Sequence, residues 1–261
     1  MSDATTRVPL YAEVFAPGSK DGRARDRPPL LLIHGWLMDR QIWSALTTRE
    51  ELAAWALYCP DLRGHGRSAG EVGITLGEHV DDLIDLVEAE GWREFGLVGH
   101  SMGGAIAMRL AERMPERISS ITLISPVPMG GLPLPDEVYA QFEGIAGDAK
   151  AIRAFLEPQF GHVNDLDRFA EIAAACPPAT VRNLLAAWTK DPHAGSLEAL
   201  DCPQLVFAGE LDPYISPALV RDAIAPSLPA PQVSIVRSCG HYAQVDRPDL
   251  VAETMADLLD T

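Results

Sequence analysis

Short, nearly unbroken apolar runs punctuate the chain at 30–33, 56–58, 95–98, 121–124, 204–208 and 233–236. A strand with one wet face alternates polar and apolar side chains, whereas a strand covered on both faces does not. These runs therefore predict the buried strands of a parallel sheet. Apolar positions near 10–15 predict an antiparallel edge strand. Apolar residues recur at helical spacing near 41–54, 75–90, 102–114, 216–226 and 248–259. The second of these opens well, because Thr75 with Glu78 three residues on makes a capping box. Its Val80, Leu83, Ile84 and Val87 then fall on one face, which should meet the sheet. Strand and helix patterns in alternation predict an α/β fold, a mostly parallel central sheet with helices on both faces.

The alternation stops between 127 and 201. Pro126-Val127-Pro128-Met129-Gly130-Gly131 is a turn-rich exit from a strand. Four helical patterns follow, at 136–146, 148–157, 165–175 and 179–190, with no strand pattern before Gln204. An all-helical insertion here would sit above the C-terminal edge of the sheet, where open α/β sheets bind ligands. The expected organisation is a core of residues 1–126 and 202–261 with a helical cap at 127–201. The competing reading is a plain packing insertion.

Composition narrows the function. The chain has 261 residues, 47% of them apolar, which suits one α/β domain with an insertion. A formal net charge of −16 argues against nucleic acid or an anionic membrane as partner and leaves a small-molecule substrate. Met1-Ser2-Asp3-Ala4-Thr5 is polar and no run approaches membrane-spanning length, so a soluble, cytoplasmic protein is expected. Cys59, Cys176, Cys202 and Cys239 lack the spacing of a metal site or a disulfide framework. Nothing in the chain sets an expectation for oligomeric state.

Residues 99–104 read Gly-His-Ser-Met-Gly-Gly, between the predicted strand at 95–98 and an amphipathic run. A G-x-S-x-G element at a strand-to-helix junction holds its serine in a sharp, strained turn with the hydroxyl clear of the sheet edge. Gly99 and Gly103 stand where a Cβ would clash. Ser101 is thus the candidate nucleophile; the competing reading is a glycine-rich turn with an inert serine. A serine hydroxyl also needs a base and a group to orient that base. In this topology an acid and then a histidine follow the serine along the chain. Asp212 closes the strand at 204–208, beside Pro213, and His241 follows the strand at 233–236. Glu210 is the rival acid. The place after the strand at 121–124 holds Ser125-Pro126 and no carboxylate. Asp246 lies too close to His241 for that role and is expected to cap the last helix.

The remaining candidates are weighed against blander roles. His34 and His65 are read as structural, His79 as a helix residue, and His162 and His193 as surface residues of the insertion. Cys239 is read as a small apolar residue closing a strand. An oxyanion needs donors, and the backbone N–H groups of Met102 and Trp36 are placed to supply them. Substrate contacts are expected from Trp36, His100, Tyr242, Phe142 and Trp188. Two roles compete for the Trp36 indole, pocket lining and core packing. His100 faces away from the serine in an elbow of this kind.

Taken in order, His34-Gly35-Trp36, Asp61-Leu62-Arg63-Gly64-His65-Gly66-Arg67-Ser68, Gly99-His100-Ser101-Met102-Gly103-Gly104, Gly209-Glu210-Leu211-Asp212 and Gly240-His241 resemble the α/β-hydrolase fold superfamily over nearly the whole chain. The resemblance implies a capped serine hydrolase without metal or organic cofactor. Small to medium carboxylic esters, lactones included, would be cleaved through an acyl-enzyme. Epoxide hydrolases and haloalkane dehalogenases of this fold carry Asp at the nucleophile position, where this chain has Ser101. Other readings stay open. Carbon–carbon bond hydrolases of the meta-cleavage type are similar at Ser101-Met102-Gly103-Gly104 and at His241-Tyr242-Ala243-Gln244, although their Asn before the serine is His100 here. Cofactor-free perhydrolases and haloperoxidases share the motif set. A slow-turnover ligand receptor would also keep these residues. A dianionic ring-fission product would need a cation at the pocket mouth, and helical spacing does not say whether Arg153 or Arg182 points inward.

Overall fold

Leu30 to Ile33 pair in parallel with Gly96 to Gly99, and this pairing lies at the centre of the fold. The computed structural model describes residues 9–18, 27–68, 75–161 and 165–260. Polar residues 1–5 and His162 lie outside the described residues. Seven strands among those described form one sheet: β1 (Ala12–Phe15), β2 (Leu30–Ile33), β3 (Leu57–Pro60), β4 (Phe95–His100), β5 (Ile118–Ile124), β6 (Gln204–Gly209) and β7 (Gln232–Val236). Their order is β1-β3-β2-β4-β5-β6-β7. β1 runs antiparallel to β3, and the other pairs are parallel. Every residue of β2, β4 and β6 is buried, so both faces of the sheet are covered there.

The covering helices are those the periodicity marks. α1 (Leu76–Ala89) opens with a capping box in which the Thr75 hydroxyl accepts from the Glu78 N–H and the Glu78 carboxylate from the Thr75 N–H. α2 (Met102–Arg113) is buried over nearly its whole length. Between β5 and β6 the chain runs through α3 (Asp136–Gly144), α4 (Ala149–Leu156), α5 (Leu166–Ala174) and α6 (Pro178–Lys190), with no strand among the described residues. After β6 come a one-turn α7 (Pro217–Leu219), then α8 (Ala243–Asp246) and α9 (Pro248–Leu259) beyond β7.

Two local expectations are corrected. The stretch 41–54 forms only two 3₁₀ turns, Arg40–Trp43 and Glu50–Leu52. The Thr47 and Thr48 hydroxyls bond the carbonyls of Ser44 and Ala45, an alternative that competes with a continuing helix. The expected helix at 216–226 is present as one continuous helical stretch, which passes from α7 through a π-helical turn at Val220–Ile224 to a 3₁₀ turn at Ala225–Ser227. Finally, α9 starts without a side-chain cap, on Pro248. Asp246 turns instead toward the loop before His241, where its Oδ2 accepts the Gly240 N–H at 3.0 Å.

Candidate active site

Ser101 joins β4 to α2 with φ 54° and ψ −120°, a backbone region that few L-residues adopt. Three hydrogen bonds hold it there. Its N–H donates to Ile124, and its carbonyl accepts from the N–H groups of Gly104 and Val127, at 3.0, 2.9 and 2.9 Å. Close packing explains the flanking glycines. A Cβ on Gly103 would run into the carbonyls of Ile33 and His34, and one on Gly99 would lie 2.6 Å from the Gly103 carbonyl. The strain is stored where α2 presses onto the ends of β2 and β4.

Asp212 and His241 follow the C-terminal ends of β6 and β7, on the same sheet edge as Ser101. His241 Nδ1 and Asp212 Oδ2 are 2.7 Å apart. The other carboxylate oxygen accepts the N–H groups of Tyr214 and Ile215, each at 2.9 Å. Burial by itself raises the pKa of the Asp212 carboxyl. The His241 charge, its hydrogen bond and the two backbone donors outweigh that and bring the pKa down to about 2. Asp212 is therefore an ionised acceptor that fixes Nδ1 of the ring and leaves Nε2 as the free face.

Glu210 has a different partner. Its Oε2 accepts the Ser238 N–H at 2.9 Å, so it fastens the histidine loop and does not meet the imidazole. Cys239 is buried and its thiol is pushed up by desolvation, in keeping with a packing role. His34 spans two loops, with Nδ1 at 2.9 Å from the Gly35 carbonyl and Nε2 accepting the Leu62 N–H at 2.9 Å. His65 packs edge-on against the His34 ring. His193 is partly exposed and paired with Glu112.

Ser101 and His241 line one cavity of about 40 Å³ with Trp36, Leu37, Val127, Leu132, Leu134, Phe142, Phe155, Gln159, Trp188, Tyr214, Ile215 and Tyr242. That is room for on the order of three waters. The aromatic rings account for the small size. Phe142 stacks on Trp36 at 5.9 Å and meets Phe155 and Tyr214 edge-on at 4.7 and 5.1 Å. Of the expected contact residues, Trp36, Phe142, Trp188 and Tyr242 reach this cavity. The Trp36 indole lines the cavity, is buried among its neighbours and donates from Nε1 to the Val181 carbonyl at 3.0 Å.

His100 does not reach the cavity. It is buried behind the His241 loop, Nε2 at 3.1 Å from the His241 carbonyl and its ring against Tyr242. Sequence reasoning missed Gln159 and Tyr214. Tyr214 carried a usable signal, because it sits two residues past Asp212 on the rim that bears the other candidates.

Trp36 and Met102 follow the adjacent strands β2 and β4. A Cβ on Gly35 would lie 3.0 Å from Ser101 Cβ, so the turn carrying the Trp36 N–H passes beside the serine. Met102 is the first residue of α2, and its N–H has no acceptor within the helix. Among the described residues no cluster of three His, Cys, Asp or Glu side chains could hold a metal ion, and no helix is long and apolar enough to cross a membrane.

Comparison with known proteins gives the family. Residues 30–254 match the model of the alpha/beta hydrolase family. Esterase YbfF of Escherichia coli is 24% identical over 238 residues, covering 89% of this chain and 93% of that protein. The pimeloyl-(acyl-carrier protein) methyl ester esterase of Nitrosomonas europaea is 26% identical, covering 85% and 92%. Among solved structures, a thermophilic esterase from Thermogutta terrifontis with malate bound is similar at a TM-score of 0.78 and 26% identity, covering 96% of this chain and 93% of that one.

Proposed function

The chain belongs to the alpha/beta hydrolase family, and from that premise we propose that it is a carboxylic ester hydrolase working through an acyl-enzyme on Ser101. The observation that carries this reading is the His241–Asp212 pair at 2.7 Å beside a cavity that Ser101 also lines. His241 Nε2 takes the serine proton as Oγ attacks the ester carbonyl. The backbone N–H groups of Trp36 and Met102 hold the oxyanion. The protonated ring then hands its proton to the departing alcohol, and the same ring activates water to release the acid. Asp212 keeps the ring in one tautomer and stabilises its cation.

In this reading residues 127–201 are a cap that shapes the acyl site, since Phe142, Phe155, Gln159 and Trp188 come from its helices and turns. The lining supports a neutral substrate with a small acyl group: no Lys or Arg is in it among the described residues. Arg153 and Arg182 are exposed, and Arg153 is held by Asp167 at 2.7 Å. The cation that a dianionic ring-fission product would need at the pocket is missing from that lining.

Ser101→Ala is expected to abolish turnover of a short p-nitrophenyl ester with unchanged thermal unfolding. A serine-directed phosphonate should label the unaltered protein at Ser101 alone. Near-normal turnover by the alanine variant would overturn the mechanism, and a single burst without turnover in the unaltered protein would make it a receptor.

A further inference from the structure

The loop that carries His241 is fastened to the helical insertion. The His241 N–H donates to the Gln159 carbonyl at 2.6 Å. Asp246 Oδ2 accepts from Gly161 in the insertion at 2.7 Å and from Gly240, the residue before His241, at 3.0 Å. One carboxylate oxygen thus joins the two segments, and the Cys239 thiol lies 3.6 Å from it. The joint is too close for side chains. A Cβ on Gly240 would run into the Gln159 carbonyl, and one on Gly161 would lie 2.7 Å from the Ser238 carbonyl and 2.9 Å from Asp246 Oδ2. The remaining sides of the loop are also tied. Glu210 holds Ser238, His100 meets the His241 carbonyl, and the Leu211 N–H donates to the Cys239 carbonyl at 2.9 Å.

We propose that Asp246 is a positioning residue for His241, acting by locking the Gln159–Gly161 turn of the insertion onto the histidine loop. The insertion is then part of the support of the imidazole, besides being a wall of the pocket. Asp212 fixes which way the ring faces, but the backbone from which the ring projects is fixed by Asp246 and Gln159. A carboxylate suits the task because one oxygen can accept several N–H groups at once. A neutral amide oxygen accepts as well, more weakly. Misplacing a reacting group by about 1 Å can cost about 100-fold in rate, so a loosened loop should act on turnover more than on binding.

This inference rests on the reading of Ser101, His241 and Asp212 as the reacting set, and the test separates the two. With a short p-nitrophenyl ester and the full chain, Asp246→Ala is expected to lower kcat about 10- to 100-fold while KM changes less than about threefold. Asp246→Asn should recover most of that loss, because its side-chain oxygen still accepts. Gly161→Ala, which pushes the same joint apart from the insertion side, should reproduce the fall. The double variant Gly161→Ala/Asp246→Ala should be little worse than the poorer single one, as expected for one shared contact. Normal kcat in Asp246→Ala or in Gly161→Ala, with Ser101→Ala inactive, overturns the positioning role and leaves the mechanism standing. An Asn variant as impaired as the Ala variant also overturns it. Should Asp246→Ala fail to fold, Gly161→Ala and Asp246→Asn decide by the same criteria. An active Ser101→Ala would overturn the mechanism itself.

Discussion

Two carboxylates two residues apart, Glu210 and Asp212, divide the work at the residue scale. Asp212 is 6% exposed, accepts the imidazole and two backbone N–H groups, and remains ionised because its pKa is brought down to about 2. Glu210 accepts only a backbone N–H at the far side of the same loop. Replacing Asp212 by Asn would offer an N–H to Nδ1 and favour the wrong tautomer; under the proposed mechanism the expected loss in kcat is on the order of 10⁴, as in a Ser-His-Asp triad. Glu210→Gln keeps an acceptor oxygen for Ser238 and should alter kcat less than about threefold, or about 0.7 kcal/mol. Steady-state rates on one ester measure both. A greater loss at Glu210 than at Asp212 would reverse the assignment.

At the scale of elements, α3, α4 and α6 bring Phe142, Phe155 and Trp188 to the cavity that Ser101 lines. Phe155 touches Phe142, Trp36 and Tyr214, with ring centroids 4.7 to 5.9 Å apart, so its ring takes up much of the space beside the serine. Phe155→Ala should widen the cavity from about 40 Å³ and favour longer or branched acyl groups. One methylene in an apolar pocket is worth about 1–3 kcal/mol, so kcat/KM for butyrate relative to acetate esters should rise at least about tenfold. An unchanged ratio would remove Phe155 from the acyl wall. These helices were legible in sequence to within a few residues at each end, as were all seven strands, because unbroken apolar runs and amphipathic helices leave strong signals; the run at 233–236 gave the strand but not its burial, since β7 closes the sheet's edge with Val233 and Ile235 exposed. The turns at 41–54 were not, since the Thr47 and Thr48 hydroxyls bond backbone carbonyls and act against a helix that periodicity alone suggests. The strand-end positions of Ser101, Asp212 and His241 followed from chain order. The place of His100 behind the loop and the reach of Asp246 to Gly161 depend on contacts between segments 85 and 141 residues apart, which no local spacing encodes.

Across the whole molecule, buried histidines set the response to acid. His34, His65, His79 and His100 are at most 2% exposed, and burial is the first cause lowering the pKa of each, furthest for His65 and His100. Folded, they stay neutral; in the unfolded chain they take up protons below about pH 6.5. The unfolded state then binds more protons, so stability is full above that pH and falls as pH drops through it. The slope is about 1.4 kcal/mol per pH unit for each histidine until its own folded pKa is reached. The acidic surface, 37 Asp and Glu against 21 Lys and Arg, works in the opposite sense, because protonating carboxylates relieves repulsion. That relief begins only near pH 4–4.5, which leaves a window from about pH 6.5 to 4.5 governed by the histidines. From pH 6.5 to 5 even two rings that stay neutral, His65 and His100, cost about 4 kcal/mol, so thermal unfolding should move down by roughly 8–16 °C between pH 7.5 and 5, at about 2–4 °C per kcal/mol for a chain of this size. His79→Gln removes one of these groups away from the candidate site, and its melting temperature should fall less steeply over the same range. A wild-type melting temperature that stays flat or rises from pH 7.5 to 5 would mean that the buried rings accept protons without unfolding the chain, against the burial that surrounds them.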